Sequence, residues 1–195
     1  MTSTGDHQVV FECCKVEEPL TGDAVEGADL REGLPDETQE VLRRHEAERT
    51  TESAEYSEAM EAFYRRHVCR MDPWPVGLEV TLAAIDADPT VYHTMNGPSE
   101  FHVLGSLRAW SIVDRLPAID VPTLVISGRY DEATPETVRP IAEQIRDSKW
   151  VVFEESSHMP HVEESERFFS VITQFSRPGE VTCAVSEIPR VPKVV

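Results

Sequence analysis

Apolar positions recur with a helical period through the first half of this chain and gather into short β-branched runs in the second. Pro35 is followed by Asp36 and Glu37 and then by Val41, Leu42 and His45, which predicts a helix with acids in its first turn. A second helix is predicted from Ser53 or Ala54 to His67, because Tyr56, Met60, Phe63 and Tyr64 fall on one face. Asp72-Pro-Trp-Pro75 ends it, and a third, short helix over 77–85 stops before Asp88-Pro89. Residues 91–101 read as a loop built around Asn96-Gly97-Pro98, and 114–119 as a connector.

Beyond the connector the period changes. Residues 122–127 and 149–154 are apolar runs bounded by turn formers and predict two strands. Helices are predicted over 135–146, with Val138, Ile141, Ala142 and Ile145 inward, and over 163–175, carrying Phe168, Phe169, Ile172 and Phe175. Strands alternating with helices imply an α/β fold with a parallel sheet covered on both faces. A sheet of two strands leaves unpaired edges and uncovered apolar faces. Residues 1–28 read as irregular apart from one short strand over 8–14, which could add to such an edge. Residues 177–195 show no periodicity.

Composition narrows the function classes. The length of 195 residues suits one domain with a real core, and 40% hydrophobic content with no apolar run near 18 residues predicts a soluble chain without a membrane span. The first residues lack a secretory pattern. The four cysteines (Cys13, Cys14, Cys69, Cys183) match no metal or redox spacing, so reduced thiols in a cytoplasmic protein are expected. A net charge of −18 repels nucleic acid.

The candidate chemistry lies at the two strand ends. Ser127-Gly128 leads to Asp131 at the end of one strand, and Ser156-Ser157 leads to His158 at the end of the next, 27 positions later. The C-terminal rim is where open α/β sheets bind ligands. An acid there can orient an imidazole and stabilise its cation, in the chain order of a Ser…Asp…His relay. Taken alone, Asp131 also reads as a turn or helix-capping residue before Pro135, and His158 as a packed or surface histidine. His161 forms a His-x-x-His pair with His158, but no further ligand at matching spacing supports a metal site. No Gly-x-Ser-x-Gly elbow occurs in the sequence.

Several segments together resemble the C-terminal part of the proline iminopeptidase family of α/β-hydrolases. They are Phe63-Tyr-Arg-Arg-His-Val-Cys-Arg-Met-Asp-Pro-Trp-Pro75, Met95-Asn-Gly-Pro-Ser-Glu-Phe101, Trp110-Ser-Ile-Val-Asp-Arg115, Gly128-Arg-Tyr-Asp-Glu-Ala-Thr-Pro135 and Ser156-Ser-His-Met-Pro160. The resemblance implies a partial α/β-hydrolase fold: a helical cap over 29–116, a core portion over 117–176 with the last two parallel strands, an unmatched segment over 1–28 and a tail over 177–195. It implies Asp131 and His158 as catalytic acid and base, and Glu100 and Glu132 as a clamp for the free amino group of the substrate. Without the resemblance, both glutamates read as solvated loop acids. The expected partner is a small peptide or amino-acid amide with a free N-terminus, with no cofactor, no metal, no nucleic acid and no membrane.

The family's glycine-rich oxyanion loop and its nucleophile elbow precede the matched region and have no counterpart here. Ser99 is a poor substitute, since Pro98 and the absence of a second glycine spoil an elbow. The expectation is therefore a truncated hydrolase lacking its nucleophile. The alternatives are one half of a split enzyme that joins a complementary N-terminal half, a non-catalytic interaction fragment, or a chain whose true start lies upstream.

Overall fold

The computed structural model describes residues 8–9 and 30–176. Its elements, in order, begin with strand β1 (Gln8–Val9) and the helices α1 (Asp36–Glu48), α2 (Ala54–His67), α3 (Val76–Ala87) and α4 (Thr90–Met95). Two 3₁₀ turns (Ser106–Ala109 and Val113–Ala118) lead into β2 (Thr123–Gly128), α5 (Pro135–Gln144), β3 (Ser148–Phe153), α6 (Pro160–Glu163) and α7 (Ser165–Ser176).

Local chemistry explains the helix starts. Ser53 caps α2 by accepting the Tyr56 N–H at 3.1 Å, and Thr134 caps α5 by accepting from Thr137 N at 3.3 Å. At α1 no side chain caps the start, and Asp36 and Glu37 face the partial positive charge of its first turn. Arg49 closes α1 in the left-handed conformation, at φ 57°.

Helices α1 and α2 pack face to face. Leu42, Tyr56, Phe63, Tyr64 and Val68 form their core, joined by the partly buried Trp74, Phe101 and Met159. Leu42 is fully buried. Leu42→Ala is expected to lower the unfolding free energy by about 2–5 kcal/mol, read from the midpoint of urea denaturation, because the vacated volume cannot refill.

The second core belongs to the sheet. Strands β2 and β3 are parallel and in register from Thr123↔Ser148 to Gly128↔Phe153. Val113 and Leu116 of the second 3₁₀ turn and Val138, Ile141 and Ile145 of the α5 segment bury Val125 on one face. On the other face the buried Phe153 meets Phe168 of α7 at 6.0 Å between ring centroids. Arg167 stacks over the Phe153 ring at 4.5 Å and donates to the Val152 carbonyl at 3.1 Å.

The sheet has three strands among the described residues, in the order β1-β2-β3. Gln8 and Val9 pair in parallel with Thr123 and Leu124. The strand expected over 8–14 is thus present at 8–9, within a segment otherwise expected to be irregular; 10–14 and 177–195 lie outside the described residues.

Two expectations need correction. The loop expected over 91–101 contains α4, because Asp88 accepts the Thr90 N–H at 3.2 Å and Pro89 supplies a preset φ of −79° at the helix entry. Phe169, placed with the closing helix's apolar residues, is 60% exposed. One helical step from Phe168, it is turned about 100° away from the sheet.

Candidate active site

Gly128 lets the two strand ends approach. A Cβ there would collide with the carbonyl oxygens of Ser156 and Ser157, closer than side chains ever sit. The approach is sealed by backbone bonds from Arg129 N to Phe153 O at 2.8 Å and from Tyr130 N to Ser156 O at 3.0 Å. The loops that carry Asp131 and His158 thereby share one rim.

There His158 Nδ1–H donates to Asp131 Oδ1 at 2.9 Å. The carboxylate can only accept, so the bond assigns the ring proton to Nδ1 and leaves Nε2 to act as acceptor. Asp131 is 8% exposed at its side chain, and the same Oδ1 accepts the Ala133 N–H at 2.9 Å, which fixes the carboxylate independently of the histidine. Asp131 therefore makes a turn contact as well as the imidazole bond, while the helix cap itself is Thr134. Glu132 Oε1 stands 4.0 Å from the same Nδ1, and its side chain is 9% exposed.

Glu100 sits in the loop after α4. Tyr92 donates its hydroxyl to Glu100 Oε1 at 2.6 Å. Asn96 Nδ2 lies 3.0 Å from Tyr92 Oη, 3.0 Å from the Ser99 carbonyl and 3.5 Å from Glu100 Oε2. The turn that makes this possible depends on Gly97, whose φ of 142° suits glycine and where a Cβ would meet His102 O at 2.6 Å. Glu100 and Glu132 both act on Tyr64. Burial pushes that phenol up from its ordinary value, and the Glu100 and Glu132 carboxylates push in the same direction. Tyr92 is raised likewise by burial, then by its neighbours Tyr64 and Glu100. Glu100 bonds Tyr92 directly, and the Tyr92 hydroxyl lies 3.5 Å from that of Tyr64.

Ser99 is fully buried and its hydroxyl lies 3.2 Å from Tyr56 Oη, a packing role inside the cap loop. His161 packs its ring on Phe168 at 5.9 Å.

Sequence reasoning singled out none of the groups that hold these side chains in place. Tyr92 on α4 and Asn96 just past its end are one helical turn apart, a spacing visible only once 90–95 is known to be helical. His67, at the end of α2, donates Nδ1–H to the Tyr130 carbonyl at 2.9 Å. Burial lowers its pKa, and the nearby Arg66 and Arg70 add to that. Glu163 accepts the Ser157 N–H at 2.8 Å and the Met159 N–H at 3.2 Å on either side of His158, while Glu164 accepts the Ser156 hydroxyl at 2.7 Å and the Glu155 N–H at 3.2 Å, upstream of both flanking residues. Glu-Glu after a Pro reads in sequence as the polar start of a helix, with no sign of these bonds.

A parallel sheet with an acid and a histidine joined at its C-terminal rim, under a helical cap, is a partial α/β-hydrolase fold. No protein-family model matches the chain. Over 146 residues it is 36% identical to the proline iminopeptidase of Saccharolobus solfataricus, covering 75% of this chain and 47% of that protein. Identity to the proline iminopeptidase of Heyndrickxia coagulans is 41% over 143 residues, 73% of this chain and 49% of that protein. Among solved structures, VinJ superposes with a TM-score of 0.76 at 55% identity, and the Mycobacterium smegmatis proline iminopeptidase with 0.69 at 49%. Each match covers 77% of this chain and 51% and 50% of those chains, respectively. Over these residues the chain is similar to the C-terminal part of the proline iminopeptidases, which are α/β-hydrolases. It spans about half the length of the curated relatives it matches. No described helix is long and apolar enough to cross a membrane.

Proposed function

We propose that this chain supplies the acid, the base and the amine-recognising carboxylates of a proline iminopeptidase-like serine hydrolase, and that the nucleophile and oxyanion donors come from a polypeptide segment outside this sequence. The observation that carries the proposal is the 2.9 Å bond between His158 Nδ1 and the buried Asp131. In this reading residues 29–116 act as cap and 117–176 as the core portion.

The chemistry follows from the bond. With Nδ1 committed to Asp131, Nε2 of His158 accepts the proton of a serine hydroxyl as that oxygen attacks the scissile carbonyl. The imidazolium then returns the proton to the departing amine, so the substrate's first residue stays on the serine as an ester. Water, deprotonated by the same Nε2, attacks that ester; the serine oxygen leaves and recovers its proton from the ring. Asp131 offsets the positive charge of the ring in both halves of the cycle. Glu100 and Glu132 would receive the N–H donors of an unblocked, cationic N-terminus, since charge-assisted bonds are the stronger kind. An N-terminal prolyl amide has two such donors on its ring nitrogen, one for each carboxylate.

The test is complementation. The 195-residue chain alone is expected to leave a proline arylamide intact. Mixed with the part of the Heyndrickxia coagulans enzyme that it does not match, it is expected to release the arylamine, and His158→Ala is expected to abolish that release. Turnover by the pure chain, or turnover in the mixture that survives His158→Ala, would refute the proposal.

A further inference from the structure

Glu163, at the end of α6, accepts four hydrogen bonds on its two oxygens. Oε1 accepts the Ser157 hydroxyl at 2.8 Å and the Arg70 N–H at 2.8 Å. Oε2 accepts the Ser157 N–H at 2.8 Å and the Met159 N–H at 3.2 Å. The residues immediately before and after His158 are therefore held by the same carboxylate. Only an acceptor-only group with two oxygens can satisfy four donors in this way.

The fourth donor comes from elsewhere in the fold. Arg70 follows α2, and its guanidinium lies over the Tyr130 ring at 3.8 Å, one residue before Asp131. His67, one turn earlier, holds the Tyr130 carbonyl. Met159 packs into the α1–α2 core. The end of α2 thus touches the acid-bearing loop through Tyr130 and the base-bearing loop through Glu163.

We propose that Glu163 is a positioning residue for His158, fixing the loop on both sides of the imidazole and tying its placement to the cap at Arg70. The inference rests on the reading of His158 as the base, and it explains how the end of α2 and a strand-end histidine keep one geometry. Glutamine at 163 would present an amide donor to at least one pair of donors. The 157–159 backbone would then move away and carry the ring from Asp131. Glu164 offers the natural control, because it braces Glu155 and Ser156 without contacting either neighbour of His158.

The experiment uses the full chain labelled with ¹⁵N in its histidines and follows exchange of the His158 Nδ1 proton with water, assigned by its loss in His158→Ala. Glu163→Gln is expected to speed that exchange by at least about ten-fold, the scale of one lost charge-assisted bond. Ser157→Ala removes the hydroxyl bond but leaves both backbone N–H bonds that flank His158, so it is expected to speed exchange by only about three-fold, and Glu164→Gln to leave it within about two-fold of the unsubstituted chain. Should Glu163→Gln fail to fold, Ser157→Ala decides by the same measure. An unchanged rate in the folded Glu163→Gln chain or in Ser157→Ala overturns the proposal. So does a Glu164→Gln effect as large as that of Glu163→Gln, which would make the bracing merely structural. The readout needs no nucleophile, so it stays informative if complementation yields no turnover.

Discussion

Asp131→Asn is expected to reduce hydrolysis of a proline arylamide by the complemented chain by about 10⁴-fold in kcat, with KM little changed. An asparagine keeps the shape, but one oxygen, Oδ1, accepts both the Ala133 N–H and the ring N–H, so an amide that turns its NH₂ toward the ring also gives up the Ala133 bond. What changes is the message to the ring. The amide can present its NH₂ to Nδ1, which then holds the imidazole in the tautomer with its proton on Nε2, the wrong side for accepting one from a serine. Steady-state kinetics on the mixture gives the comparison. A loss of less than about ten-fold would mean that Asp131 serves the loop and not the ring.

The second large effect concerns the scaffold. Gly128→Ala is expected to destabilise the fold by on the order of 3 kcal/mol, or to prevent folding altogether. The added methyl meets two carbonyl oxygens of the backbone, which cannot swing aside as a side-chain tip could. To accommodate it, β2 and the 156–157 turn must separate, which strains the bonds Arg129 N–Phe153 O and Tyr130 N–Ser156 O. A typical hydrogen-bond deletion costs only about 1 kcal/mol, so the two scales are distinguishable by urea unfolding. An unchanged urea midpoint would show that the strand end has room the structure denies it.

How much of this was legible in the sequence depends on the range of the interaction that fixes each part. Helix α2 was readable to its ends because a local cap, Ser53, and a four-residue apolar face agree. Strands β2 and β3 were readable from β-branched content and their turn boundaries. Helix α4 was not, since the strong turn signal of Asn96-Gly97-Pro98 follows only six residues after its start and leaves too few positions for a period to show. The pairing of Asp131 with His158 was anticipated from the order of two strand ends. The tyrosine pair under Glu100, and Glu163 beneath the histidine, depend on contacts between segments up to 93 positions apart, to which a pattern along the chain is blind. Phe169 shows the reverse limit: apolar character marks a residue as fit for burial but does not supply the surface that would cover it.

Gln8 and Val9 pair in parallel with Thr123 and Leu124, the first two residues of β2. That pairing joins positions 115 apart, whereas β2 and β3 meet across 25, from Thr123 to Ser148. Closing the longer loop costs more chain entropy before any contact repays it. The sheet is therefore expected to zip between β2 and β3 first, with Gln8 and Val9 docking onto a ladder that already stands.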